Sequence, residues 1–160
     1  MRLYVEPIVF FLAFDKNKLS MKIFEKARNG KLELVTSVWS VSQYIGAVNE
    51  LYVKGELSQQ SRNDYLFEFS RLENDLKDSL VKVYPTKEIQ DVCISFILDR
   101  SVDYERAWHL ATARLSRCTD YAMVDRYQDL DRRQWTKDFE VFNILDEYDA
   151  KQLSERIDSL

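Results

Sequence analysis

At 160 residues the chain is long enough for one substantial core and too short for two comfortable ones, so a single domain is expected. Hydrophobic residues make up 46% and charged residues 31%, with only three Gly and two Pro, which excludes disordered, collagen-like and loop-built classes. The formal charge of −4, from 27 acids against 23 bases, supplies no global field that would attract DNA, RNA or an anionic membrane, and leaves only local basic patches for such contacts.

Cys93 and Cys118 lie in separate segments without CxxC spacing, so neither a zinc knuckle nor a disulfide framework is indicated. The apolar N-terminal stretch carries Glu6 and Pro7 inside it and lacks a small-residue cleavage site, which makes a poor signal peptide. No run of ~18 to 20 apolar residues is present to span a bilayer. The expected location is the cytoplasm.

In chain order, Arg2 to Val5 reads as a buried first strand that ends near Glu6. Ile8 to Phe14 is also apolar and rich in β-formers, and Pro7 breaks any continuous ladder between the two. Leu19 to Arg28 reads as a short helix closed at Asn29-Gly30, where Gly tolerates a left-handed cap. Leu32 to Thr36 alternates as a second strand.

From Trp39 the period changes. Tyr44, Ile45, Val48, Leu51 and Tyr52 recur as on one face of a helix that Gly55 ends. Ser58 opens a long helix with Leu66, Phe69, Leu72, Leu76 and Leu80 as its apolar stripe, and the two helices are expected to pair as a hairpin. Val81 to Tyr84 is a short strand stopped by Pro85, and Thr86 caps the next helix, which carries Ile89, Val92, Cys93, Phe96 and Ile97. Tyr104, Ala107, Trp108, Ala111 and Leu115 repeat that spacing.

Asp120 to Val124 and Phe139 to Phe142 read as strands, and Asp146 to Ile157 as a polar terminal helix. Asp125 to Asp138 has eight charged residues in fourteen and reads as a mobile surface loop or a solvated helix. The alternation predicts an α/β fold: a mostly parallel sheet of four or five strands with helices on both faces, in three α/β/α layers.

Four landmarks in order resemble the PIN-domain ribonucleases, including their VapC-like toxins. Leu3-Tyr4-Val5-Glu6 is similar to the family's first strand, and Thr36 to Gln43 to its Thr-Ser strand end leading into a helix. Arg106-Ala107-Trp108-His109-Leu110-Ala111-Thr112-Ala113 resembles the Asp-Ala-x-His-x-Ala-x-Ala helix. Thr119 to Asp125 resembles the strand carrying the last acid, and Phe139 to Asn143 the closing strand. The resemblance spans residues 1 to 144 and implies a PIN-like fold around a Mg²⁺ or Mn²⁺ site. Hard cations of this kind want several oxygen ligands, and they activate water and neutralise charge on phosphate.

Residue by residue, the family's first acid falls on Glu6, its second on neutral Gln43 and its third on Arg106. The fourth falls on Arg126, with Asp125 one position before it. A guanidinium about 5 Å from a divalent ion repels it by several kcal/mol at an effective dielectric near 20. The leading expectation is therefore a degenerate, catalytically inactive domain with no cofactor, in which an Arg106 to Glu6 ion pair fills the metal's space. Such a domain would bind RNA, an antitoxin-like peptide or a second copy of itself as a homodimer.

The alternative is a divergent Mg- or Mn-dependent endoribonuclease of the toxin type. Its rebuilt catalytic set is Glu6, Asp103 and Asp125, with Glu6 and Asp125 as metal ligands. Asp103 and Asp125 also suit plainer roles, as an N-cap and a turn residue. Arg106, Arg114, Arg117 and Arg126 are the candidate RNA contacts, and Arg132 and Arg133 extend the group, although Asp125, Asp129 and Asp131 interleave with it. His109, the one histidine, reads as a packed helix residue.

Overall fold

The computed structural model describes residues 1–100, 102–125 and 137–160, which form five strands and seven helices. In chain order these are β1 (Arg2–Val5), α1 (Pro7–Phe14), α2 (Lys18–Arg28), β2 (Glu33–Ser37), α3 (Val38–Val53) and α4 (Gln59–Asp75). There follow β3 (Leu80–Val83), α5 (Lys87–Arg100), α6 (Tyr104–Leu115), β4 (Asp120–Met123), β5 (Glu140–Asn143) and α7 (Glu147–Asp158). All pairings are parallel and the strand order is β3-β2-β1-β4-β5.

Period-two alternation divides β1 between two cores. Leu3 and Val5 face the layer of α1, α2, α3, α4 and α7, while Tyr4 faces the layer of α5 and α6. Val35 of β2 and Tyr121 and Met123 of β4 join Tyr4 on the second face. The sheet is thus buried on both sides, as a parallel sheet requires, and the predicted three-layer architecture is present.

Ile8–Phe14 is helical, in contrast to its β-forming composition. Pro7 occupies the first helical turn, where its missing N–H is no loss and its fixed φ favours the helix. Tertiary packing then overrides local preference. The Phe10 ring lies 5.2 Å from both Phe24 and Phe69, which gathers α1, α2 and α4 around one aromatic cluster. Leu80, read as the last residue of a helical stripe, instead opens β3 beside Leu34, because the helix ends at Asp75.

The caps follow local chemistry. Asn17, Ser37, Ser58, Asp103 and Asp146 each accept a backbone N–H in the first turn of their helices, and Thr86 does the same for Ile89. The charged segment predicted over Asp125 to Asp138 lies mostly outside the described residues.

Candidate functional site

A parallel sheet places its crevice at the carboxyl ends of the strands, where neighbouring connections depart to opposite faces. Here that point lies between β1 and β4. Glu6 follows β1, Val124 and Asp125 follow β4, and residues of α1, α3 and α6 close around them. The resulting cavity, of about 480 Å³, is lined by Glu6, Gln43, Asp103, Arg106, His109 and Asp125 together with apolar walls from Ile8, Phe11 and Ala47.

Arg106 is the central group. Its Nε lies 3.4 Å from Glu6 Oε1, its Nη1 3.8 Å from Asp125 Oδ2, and its Nη2 donates to the Val124 carbonyl at 3.4 Å. Both carboxylates are deeply buried, with Glu6 5% and Asp125 8% exposed. Burial disfavours the guanidinium's charge, yet Glu6 foremost, then Tyr121 and Asp125, holds its pKa above the ordinary value. Burial also lifts the Glu6 carboxyl to about 6, against the pull of Arg106 and of the Tyr121 hydroxyl, which donates to Oε1 at 2.5 Å.

Gln43 donates its amide to Glu105 Oε1 at 2.5 Å. Asp103 caps α6, accepting the Arg106 backbone N–H at 3.0 Å, while still lining the cavity. Asp125 is held by Asn143, whose Nδ2 donates to the Asp125 carbonyl at 2.8 Å and whose Oδ1 accepts its backbone N–H at 3.3 Å. Behind Arg106, His109 Nδ1 lies 2.8 Å from the Tyr4 hydroxyl. Burial, reinforced by the nearby guanidinium, drives the imidazole's pKa down to about 3, so it is neutral at physiological pH.

The structure brings Glu6, Gln43, Asp103, Arg106 and Asp125 to one cavity. Of the candidate RNA-contact arginines, Arg106 and Arg114 are apart. Arg114 lies two turns farther along α6, about 12 Å from Arg106 at 1.5 Å per residue, and pairs with Asp138 at 2.9 Å. Arg117 sits in the turn beyond α6 with φ 54°, and Arg126, Arg132 and Arg133 fall outside the described residues.

Tyr4, Glu105, Tyr121 and Asn143 complete the site without having been assigned roles from sequence. Alternation put Tyr4 and Tyr121 on like faces of their strands, but only the β1/β4 register stacks their rings at 5.1 Å.

The donor set does not fit a divalent cation. Mg²⁺ and Mn²⁺ require several oxygens in near-octahedral array, whereas Glu6 and Asp125 both direct an oxygen at the same guanidinium and Gln43 contributes a neutral amide. Among the described residues, no group of three or more His, Cys, Asp or Glu side chains is placed to hold a metal ion.

No protein-family model matches the sequence, and no curated protein is similar to it. Solved structures do share the fold. A chain of a toxin–antitoxin complex from Klebsiella pneumoniae aligns with TM-score 0.57 and 10% identity, covering 86% of this chain and 98% of that one. VapBC2 from Rickettsia felis bound to a promoter DNA fragment gives 0.61 and 9%, covering 89% and 98%. PAE2754 from Pyrobaculum aerophilum gives 0.61 and 13% over the whole of both chains. The fold is PIN-like and VapC-like. No helix among the described residues is long and apolar enough to cross a membrane.

Proposed function

We infer that this chain is a PIN-like module that acts by binding, without metal-dependent hydrolysis of RNA. The observation carrying this reading is the Arg106 guanidinium lying between Glu6 and Asp125, where it supplies positive charge to the two buried carboxylates. A divalent ion entering beside it would meet a repulsion of about 7 kcal/mol at 5 Å and an effective dielectric near 20.

The favoured partner is an antitoxin-like peptide rather than RNA. Among the described residues, four carboxylates, Glu6, Asp103, Glu105 and Asp125, line the cavity against the guanidinium of Arg106, a field that repels phosphodiesters. The toxin–antitoxin complex among the fold neighbours supports the same class. A homodimer is the form proposed for it and the cytoplasm its setting, in keeping with the buried, free thiols of Cys93 and Cys118.

Manganese calorimetry, with cleavage assays on structured and single-stranded RNA, tests this reading. No micromolar metal binding and no turnover are expected. Manganese-dependent turnover abolished by Glu6→Gln would overturn it.

One observation favours a second reading, a divergent endoribonuclease using Mg²⁺ or Mn²⁺: Glu6, Asp103 and Asp125 all line the same cavity. On that reading Asp103→Asn and Asp125→Asn each lower cleavage about a hundredfold, as loss of a charge-stabilising group does. Cleavage unchanged in both variants excludes it.

A further inference from the structure

Helix α3 departs from the pattern of its neighbours. Glu50 is the one charged residue among its sixteen, whereas α2 carries five in eleven and α4 six in seventeen. Ser40, Tyr44 and Val48 turn inward, and the opposite side of the helix is formed by Trp39, Ser42, Gly46, Asn49 and Val53, all exposed. A helix face turned to water is ordinarily charged. Here Trp39 is 45% exposed, Val53 74% and the adjoining Ile45 46%.

Gly46 sits at the middle of that face. In a helix interior glycine is less favourable than alanine, because it loses more backbone freedom on folding. Nothing inside the molecule offsets that cost: among the described residues, a Cβ placed at Gly46 would meet no heavy atom within 4 Å outside its own helix. What the missing Cβ does allow is close approach by another backbone.

The order of the face decides what approaches. Its five residues are spaced three, four, three and four apart, the seam of a helix that packs along another helix. The series reads nearly alike in both directions, with Trp39 seven before Gly46 and Val53 seven after, Ser42 four before and Asn49 three after. A second α3 running antiparallel, with the two-fold axis at Gly46, sets Trp39 against Val53 of the other copy and Ser42 against Asn49.

That arrangement also separates the two Glu50 carboxylates by about 12 Å at 1.5 Å per residue and carries each to the amino-terminal half of the opposing helix, the positive end of its dipole. A parallel pair would set Glu50 against Glu50. The face brings roughly 500 Å² of each copy, or about 1,000 Å² in all, to the contact, the size at which a specific interface begins. We propose that α3 forms the interface of an isologous homodimer, in which two copies cross antiparallel at Gly46. This rests on the homodimer put forward above and supplies its surface; it is independent of metal and of hydrolysis.

Sedimentation equilibrium of the full chain, without metal, is expected to find a dimer with a micromolar dissociation constant. Gly46→Glu sets two carboxylates at the axis and is expected to weaken it at least ~hundredfold, with helical circular dichroism unchanged. Gly46→Ala is expected to raise the melting temperature in dilute solution, where the monomer prevails, and yet to weaken the dimer about tenfold. A merely solvent-facing helix would show only the first effect. After mild oxidation Gly46→Cys is expected to give a disulfide-linked dimer and Val53→Cys, about 21 Å from its copy, none.

A parent chain still monomeric at ~100 μM, far above a micromolar constant, would overturn both the face and the homodimer. A dimer undiminished by Gly46→Glu or by Gly46→Ala would overturn the face alone and leave the homodimer standing. Crosslinking through Val53→Cys rather than Gly46→Cys would overturn the antiparallel crossing.

Discussion

Glu6→Gln asks whether the pocket holds its central carboxylate at a cost. Burial raises the Glu6 carboxyl from 4.5 to about 6, despite the opposing pull of Arg106 and Tyr121. A carboxyl that keeps its proton more tightly in the folded state favours folding at acid pH and loses that contribution as pH rises. Below about pH 4.5 both states are protonated and ionisation carries no penalty; the penalty grows through pH 6 and is complete above it. At 1.36 kcal/mol per pKa unit the displacement amounts to about 2 kcal/mol at pH 7.5.

Glutamine keeps an acceptor for the Tyr121 hydroxyl and has no charge to desolvate, while Arg106 retains Asp125 and the Val124 carbonyl. Urea denaturation across pH 4 to 8 is expected to find the variant as stable as the parent or up to about 2 kcal/mol more stable at pH 7.5. That difference closes toward pH 4.5. A variant destabilised by about 3 kcal/mol or more at pH 7.5 would refute the reasoning, because the Glu6–Arg106 pair would then gain more than its burial costs.

Arg106→Asp combined with Gln43→Glu restores two acids to the cavity and is expected to create manganese binding detectable by calorimetry; equally tight binding by the parent chain would count against the charge argument. Asp103→Ala removes the cap of α6 and is expected to cost about 1 kcal/mol in thermal denaturation, whereas Asp103→Asn preserves most of it. Phe10→Ala opens a void among Phe24, Tyr44 and Phe69 and is expected to cost about 3 to 5 kcal/mol by the same measurement. Arg156→Ala takes from the buried Asp120 the cation that pairs with it, leaving the Thr119 hydroxyl bond in place, and is expected to lose about 1 to 3 kcal/mol in urea denaturation.

Much of the fold was legible because the relevant signals are local. Helices α3 to α6 announced themselves by three- and four-residue spacing and by openings such as Ser58 and Thr86, which bond within the first turns of their own helices, and α2 by its Asn29-Gly30 end. The exception was α1, whose all-apolar sequence has no periodicity to read. Its state depends on Phe24, Tyr44 and Phe69 arriving from three other helices.

The site was legible in its parts and not in its joins. Glu6, Gln43 and Arg106 were named from motif positions, yet the bond from Gln43 goes to Glu105, a neighbour that no motif singled out. The spacing of Arg106 and Arg114 was set by a related fact. Residues close in sequence are spread along a helix at 1.5 Å per residue, so Arg106 and Arg114 sit at opposite ends of α6.

By itself the amino-acid order determined the alternation of strands and helices, the helix caps and the replacement of acids by Gln43 and Arg106, since each depends on residues a few positions apart. Only the tertiary structure decided that Arg106 lies between Glu6 and Asp125, and that Tyr121 and Asn143 hold those two acids. Those relations arise from sheet register and from helices crossing the strand ends, where partners as far apart as positions 6 and 121 meet through packing rather than sequence proximity.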